Sequence, residues 1–364
     1  MNSPQSHKYR GLLPWAEGYR PQRLPSEQDR RIVRSAWKKS EGLERATLGS
    51  LLAQIQAAKQ DYDDAIQTIQ YSRKDVHEHA HMAHAILDWA HTTVLSHQGQ
   101  LNPSRKSFAS LQRRLSSISA WGLLAPMCLS RARQMLVRGG YEEASLLAHN
   151  ARNHARQAEH NTMVIEALGV SCEIALATGK QRDADQYLQT MEQLTEASPA
   201  KHKDSRRFVA LTRASLAMTQ GLFQQSEDLL NSLQPEADPL LQIALNQRMA
   251  ELHLRQGRLS DAELLVRQNL ASLEAFGQRA ALGVGIRILG DIQALRHEPN
   301  KAVGSYILAL QTGCLCSDFH NAKQACSRII AVEQLQKSSP RGAQFESIYR
   351  DLEELTAPPF ELTR

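Results

Sequence analysis

The chain has 364 residues and a formal net charge of +5, and only 5% of its residues are aromatic. That length is ample for a buried core, and no run of eighteen apolar residues offers a membrane-spanning helix. Leu, Ala and Gln recur throughout, while few stretches alternate apolar and polar residues with period two, so the composition predicts helices and excludes an extensive sheet.

Residues 1–40 stand apart as a basic arm or cap. Between Lys8 and Lys39, nine Lys and Arg face three acidic residues, which leaves residues 40–364 at a net charge of about −1. The basic character therefore belongs to this segment, and nucleic acid is not an expected partner along the body. Tyr9, Trp15, Tyr19 and Trp37 lie here among Pro4, Pro14, Pro21 and Pro25. Such a segment either folds back over the first helical unit or docks on an acidic partner. Its start has no apolar leader stretch. The five cysteines show no disulfide framework, so a cytoplasmic protein is expected.

From residue 41 to 356 the chain repeats itself, and residues 357–364 form a tail. QDYDDA ends at Ala65, GQLNPS at Ser104, GGYEEA at Ala144, GKQRDA at Ala184, GLFQQS at Ser226, QGRLSDA at Ala262 and HEPNKA at Ala302. An eighth unit is expected to close at Ala343. In each unit a turn ends one helix, and three residues after its bulky residue a small residue opens the next. Twelve positions earlier a second small residue recurs: Ala53, Thr92, Ala132, Cys172, Ala214, Ala250, Gly290 and Ala331. Small side chains at those two places let antiparallel helices approach closely.

Within the second unit, DVHEHAHMAHAILDWAH begins at Asp75 and contains His77, Glu78 and His81, spelling H-E-x-x-H. On a helix that spacing holds zinc beside a general base, and His84 offers a third imidazole. Against this, Asp75 and Glu78 have capping-box spacing at a helix start, and no strand is predicted to align a substrate. The expected reading is a His-rich helix face, with His77, His81 and His84 as a residual metal alternative. Near the other end, CLCSDFH followed by Cys326 lacks the paired C-x-x-C of zinc sites, so packing is expected there. LGVGIRILG is read as a helix rich in small residues and not as a phosphate loop, because no strand precedes it.

The repeat resembles the tetratricopeptide superfamily in Gly139, Tyr141, Ala144, Ala148 and Ala151 with Ala132, and in Gly257, Leu259 and Ala262 with Ala250. Its period of about 40 residues is similar to the long repeats of MalT-type regulators. The resemblance implies an all-α, right-handed helical-hairpin solenoid of about eight repeats, with the first helix of each hairpin lining a concave groove. In the helical frame the groove residues are Gln54, Trp89, Thr93, Arg133, Glu173, Ser215, Gln247, Glu251, Arg287, Asp291 and Arg328. Arg133, Arg287 and Arg328 are expected to grip carboxylates and Trp89 to anchor an apolar side chain. The function expected is a non-enzymatic scaffold, without a cofactor, that takes a protein or peptide partner. The alternatives are a regulator sensing a small molecule or peptide and, last, a zinc hydrolase.

Overall fold

A computed structural model of the chain describes residues 27–58, 61–77, 79–98, 100–197, 203–233, 239–275, 279–316, 318–335 and 341–356. It is all-helical. The first six helices are α1 (Glu27–Lys39), α2 (Gly42–Ala58), α3 (Tyr62–Lys74), α4 (His81–His97), α5 (Leu101–Ser117) and α6 (Trp121–Val137). Next come α7 (Tyr141–Gln157), α8 (Asn161–Ala177), α9 (Gln181–Glu196), α10 (Lys203–Thr219), α11 (Phe223–Ser232) and α12 (Pro239–Arg255). The last are α13 (Leu259–Ala275), α14 (Arg279–Leu295), α15 (Pro299–Leu315), α16 (Phe319–Leu335) and α17 (Arg341–Thr356). No helix among the described residues is long and apolar enough to cross a membrane.

Two compact units divide the chain. One holds the described residues of Met1–Ser130 and Asn150–Val164; the other holds Arg131–His149 and the described residues from Ile165 onward. In the first unit each of α1 to α5 packs on its sequence neighbour, and α2 also packs on α4. In the second unit α9 to α17 do the same, with further contacts of α10 on α12, α12 on α14 and α14 on α16. Alternate helices thus form one layer within each unit, and the intervening helices cover it. The difference shows in the helices themselves. Outer helix α9 buries Ala184, Leu188, Met191 and Thr195, a single stripe at helical spacing. Inner helix α8, NTMVIEALGVSCEIALA, buries residues most of the way round.

The turns share one hydrogen-bond logic. The Gly140 N–H donates to Met135 O at 2.9 Å and closes α6, while its carbonyl accepts from Ala144 N–H at 2.9 Å and opens α7. Ala120, Lys180, Leu222, Arg258 and Glu298 repeat both bonds. One peptide residue therefore satisfies orphan groups of two helices at once, in a Schellman-type exit. The residue before it takes positive φ, as glycine at Gly139 (78°) and Gly179 (73°). Ser119, Glu159 and His297 take the same conformation with a side chain, at a cost of about 1 kcal/mol each.

The small residues sit where the helices meet. Ala65, Ser104, Ala144, Ala184, Ser226, Ala262 and Ala302 are completely buried, as are Ala53, Ala132, Cys172, Ala214 and Ala250. Ser104 Oγ donates to Thr92 O at 3.0 Å, Ser226 Oγ to Ala214 O at 2.9 Å, and Cys172 Sγ to Ala184 O at 3.4 Å. The eighth pair departs from this frame: Ala331 and Ala343 are both exposed. There Cys326 Sγ donates to Phe345 O at 3.1 Å instead. The gap between α16 and α17 is longer than the three-residue gap inside each other pair, from α2–α3 to α14–α15, and α17 is out of register with the repeat.

Part of the segment set apart as an arm packs as α1. Val33 joins Leu48, Leu51, Leu52 and Ile55 in one cluster, and Trp37 Nε1 donates to Ser72 Oγ at 2.9 Å. Tyr9, Trp15 and Tyr19 lie outside the described residues.

Gly290 tests how close the inner and outer layers come. A Cβ there would lie 2.6 Å from the Tyr306 ring, whose hydroxyl is held by Asp291 at 2.8 Å. Gly290→Ala gains about 1 kcal/mol of helix propensity. It loses about 1–3 kcal/mol to overpacking and about 1 kcal/mol more from the strained hydrogen bond. We expect a net loss of about 1–3 kcal/mol in urea denaturation. Gly304→Ala, where nothing lies within 4 Å, should gain about 0.5–1 kcal/mol. Equal effects at the two positions would contradict the close α14–α15 approach.

Candidate functional site

The second unit gathers four of the expected groove residues into one polar network. Arg287 donates through Nε to Asn321 Oδ1 at 3.0 Å and through NH1 to Asp291 Oδ2 at 3.2 Å. Arg328 donates through Nε to Asp291 Oδ1 at 2.5 Å, and the Tyr306 hydroxyl donates to the same oxygen. Asp291 is thereby shared by three donors from α14, α15 and α16. Burial pushes the Glu251 carboxyl up, but Arg248, Arg255 and Arg287 outweigh it and hold the group below its ordinary value. Glu251 joins the network through the field of Arg287 and pairs directly with Arg248 (3.3 Å) and Arg255 (3.4 Å). Such a network fixes side-chain positions more than it adds stability.

Beside it lies a cavity of about 250 Å³, lined by Tyr141, His320, Lys323, Gln324, Ser327, Arg328 and Tyr349. Asp318 precedes α16 as its N-cap, and its Oδ1 accepts from Asn321 N–H at 3.0 Å. Tyr141 and His320 Nδ1 are hydrogen-bonded across 179 positions of sequence, and Gln324 contacts His320 Nε2 at 2.8 Å. Burial, with Arg287 and Lys323 nearby, lowers His320 to about 4. Burial, with Asp318 and Tyr349 nearby, raises Tyr141 to about 12. Burial raises Asp318 to about 6, against its bond from Asn321 and the field of Arg287. Neither Tyr141 nor His320 changes charge near neutrality, so this pair is poorly matched to general acid–base work. Among the described residues the lining carries two cations and no carboxylate, so its chemistry favours an anionic group.

Other expected groove residues fall elsewhere. Trp89 is 1% exposed, Gln54 4% and Thr93 7%, so all three are core residues and offer no surface to a partner. The Trp89 ring packs edge-on against Phe108 with centroids 6.0 Å apart. Gln54 Nε2 donates to Ser50 Oγ, and Thr93 Oγ1 to Trp89 O. The helical frame placed these three on a groove-lining face, but the neighbouring helices close over them. Arg133 pairs with Glu166 at 2.9 Å, so its grip is taken within the chain. Ser215 Oγ donates to Leu211 O, while Glu173 and Gln247 are half-buried.

The H-E-x-x-H stretch does not lie on one helix. Asp75 is the C-cap of α3, not an N-cap, and pairs with Arg45. His77 sits in the turn and His81 opens α4; Glu78 lies outside the described residues. Helix α3 ends only at Lys74, so the α3–α4 turn falls across the motif. Among the described residues, no three His, Cys, Asp or Glu side chains are placed to share a metal ion.

Asn321, Lys323 and Tyr349 were not foreseen from sequence, while Tyr141 was read as a repeat residue and Asp318 and His320 only within the CLCSDFH stretch assigned to packing. Asp318 carried a readable signal, an Asp directly before a helical run with Asn three residues on. No protein-family model matches this chain, and no curated protein matches it either.

Proposed function

We propose that the chain is a TPR-like, right-handed solenoid of about eight helical hairpins, acting in the cytoplasm as a non-enzymatic binding module for an acidic segment of a partner protein. The observation that carries this reading is the cavity between Tyr141, Lys323, Arg328 and Tyr349, whose described lining residues include no carboxylate. Arg328 is held by Asp291 through Nε, and no described contact uses its two terminal nitrogens. A planar guanidinium held in this way suits a carboxylate, and the two tyrosine rings suit the apolar part of the same segment.

The test places a photo-crosslinking amino acid at exposed Ser327 and captures partners from native lysate. Wild type is compared with Lys323→Gln/Arg328→Gln, which removes both charges without reversing them beside Asp291. We expect a partner whose crosslinked segment carries Asp or Glu, reduced at least fivefold in the variant. Unchanged capture, or a crosslinked segment without an acidic residue, counts against the cavity as the binding site.

A further inference from the structure

The second cavity is in the first unit, on the side of the histidine-bearing turn. It has a volume of about 520 Å³ and is lined by Arg73, His81, His84, Asp88, Arg114, Ser117 and Ile118. Three elements build it. Arg73 comes from the last turn of α3; His81, His84 and Asp88 come from the first half of α4; and Arg114 and Ser117 come from the end of α5. We infer that this cavity is a binding site for the phosphoryl group of a small phosphate monoester.

The charge balance points to an anion. Asp88 is the lone carboxylate among the described residues of the lining and is shared between two guanidiniums, with Arg73 NH2 at 2.6 Å from Oδ1 and Arg114 NH1 at 2.7 Å from Oδ2. Each arginine has five N–H donors, and the described bonds of Arg73 and Arg114 use one apiece. The carboxylate therefore acts as a brace that holds two forks apart, leaving a net positive lining with most of its donors uncommitted. Two guanidinium charges in one cavity repel a divalent cation as strongly as they attract a dianion. The same imidazoles that suggest zinc from spacing thus sit in a field that opposes it.

The backbone adds to this. Helix α4 begins at His81 with no acidic residue in its first turn and no side-chain cap. The partial positive charge at a helix start is usually answered by a carboxylate or a cap; here imidazoles and the cavity occupy that end. His84 Nε2 lies 3.2 Å from His77 O, which ties the ring to the turn, and in the imidazolium form its Nδ1–H is a further donor. Ser117 donates its hydroxyl to Arg114 O at 2.8 Å, which holds the end of α5. A tetrahedral phosphoryl group carries up to two negative charges on three terminal oxygens, which matches two guanidiniums reaching it from different helices better than a singly charged carboxylate does. The cavity is also far larger than a phosphate ion and falls in the range of small-molecule sites. Ile118, exposed at its rim, offers apolar contact to the body of an ester.

The test is isothermal titration calorimetry of the full chain at low salt. The probes are glycerol 3-phosphate, inorganic phosphate, glycerol and zinc chloride. We expect 1:1 binding of glycerol 3-phosphate, tighter than inorganic phosphate, and no binding of glycerol. Arg73→Gln and Arg114→Gln should each weaken the ester at least tenfold. Arg73→Lys should fall between, since it keeps the charge and loses the fork. Lys323→Gln/Arg328→Gln, in the other unit, should leave ester binding unchanged. Thermal unfolding of each variant establishes that it is folded before titration. No saturable ester binding, or binding untouched by both arginine substitutions in folded protein, overturns the site. Inorganic phosphate binding as tightly as the ester overturns its assignment to an ester, and stoichiometric zinc binding that phosphate does not oppose overturns the charge argument.

Discussion

Trp89→Ala is expected to destabilise the protein by about 3–5 kcal/mol, the usual cost of truncating a buried aromatic. The ring is 1% exposed and packs on Phe108, so its loss leaves a cavity in the first unit. Trp89→Phe should cost far less. The Trp89 Nε1 donor is buried and has no hydrogen-bond partner among the described residues. Removing an unsatisfied donor returns about 1–3 kcal/mol, which offsets much of the lost area. Urea denaturation of the two variants therefore separates a core tryptophan from a partner anchor. An anchor predicts a stable Trp89→Ala protein that loses its partner. A buried core residue predicts a marginal fold, with Trp89→Phe close to wild type.

Stability in acid should depend on which member of the Asp318–His320 pair is removed. His320 is lowered from 6.5 to about 4, so its contribution is complete above pH 6.5 and is lost as pH falls toward 4. Asp318 is raised from 3.8 to about 6, so its contribution is complete below pH 3.8 and is lost as pH rises toward 6. Each is on the order of 2–3 kcal/mol. Between pH 4 and 6 the two slopes oppose one another, because the folded chain keeps Asp318 protonated and His320 neutral while the unfolded chain does the reverse. In wild type the pair is then nearly silent over that range. Asp318→Asn keeps a good N-cap for α16 and leaves only the His320 slope, so it should lose stability as pH falls from 6.5 to 4. His320→Gln leaves only the Asp318 slope and should lose stability as pH rises from 4 to 6. The readout is each variant's difference from wild type, which removes groups common to both. Differences that do not change with pH would mean that neither group is held in its uncharged form.

Much of the helical layout was legible in the residues themselves. A turn signal, a bulky residue and a small residue recur every 40 residues or so, and that pattern carries the information for a hairpin locally. Ala144 opens α7 because the Gly139–Gly140 turn ends α6 four residues before it. The eighth unit shows the limit of such counting. A longer link before α17 changes the register, and Ala331 and Ala343, correct by spacing, turn outward.

The histidine motif and the groove show a second limit. Spacing alone put Asp75 at a helix start, but α3 extends to Lys74 and takes Asp75 as its C-cap. Helical phase put Trp89 and Arg287 on the same inner face, yet one is sealed by Phe108 and its neighbours while the other is held beside an open cavity.

From the sequence by itself came the all-helical class, the alternation of inner and outer helices and the small residues at their contacts, because each depends on residues within about 20 positions of one another. Only the tertiary structure decided which polar residues share a site. Asp291 meets Arg328 37 positions on, and Tyr141 meets His320 across 179, distances over which no periodicity carries phase. Those meetings depend on how helices far apart in sequence pack within one unit, which no single stretch of residues encodes.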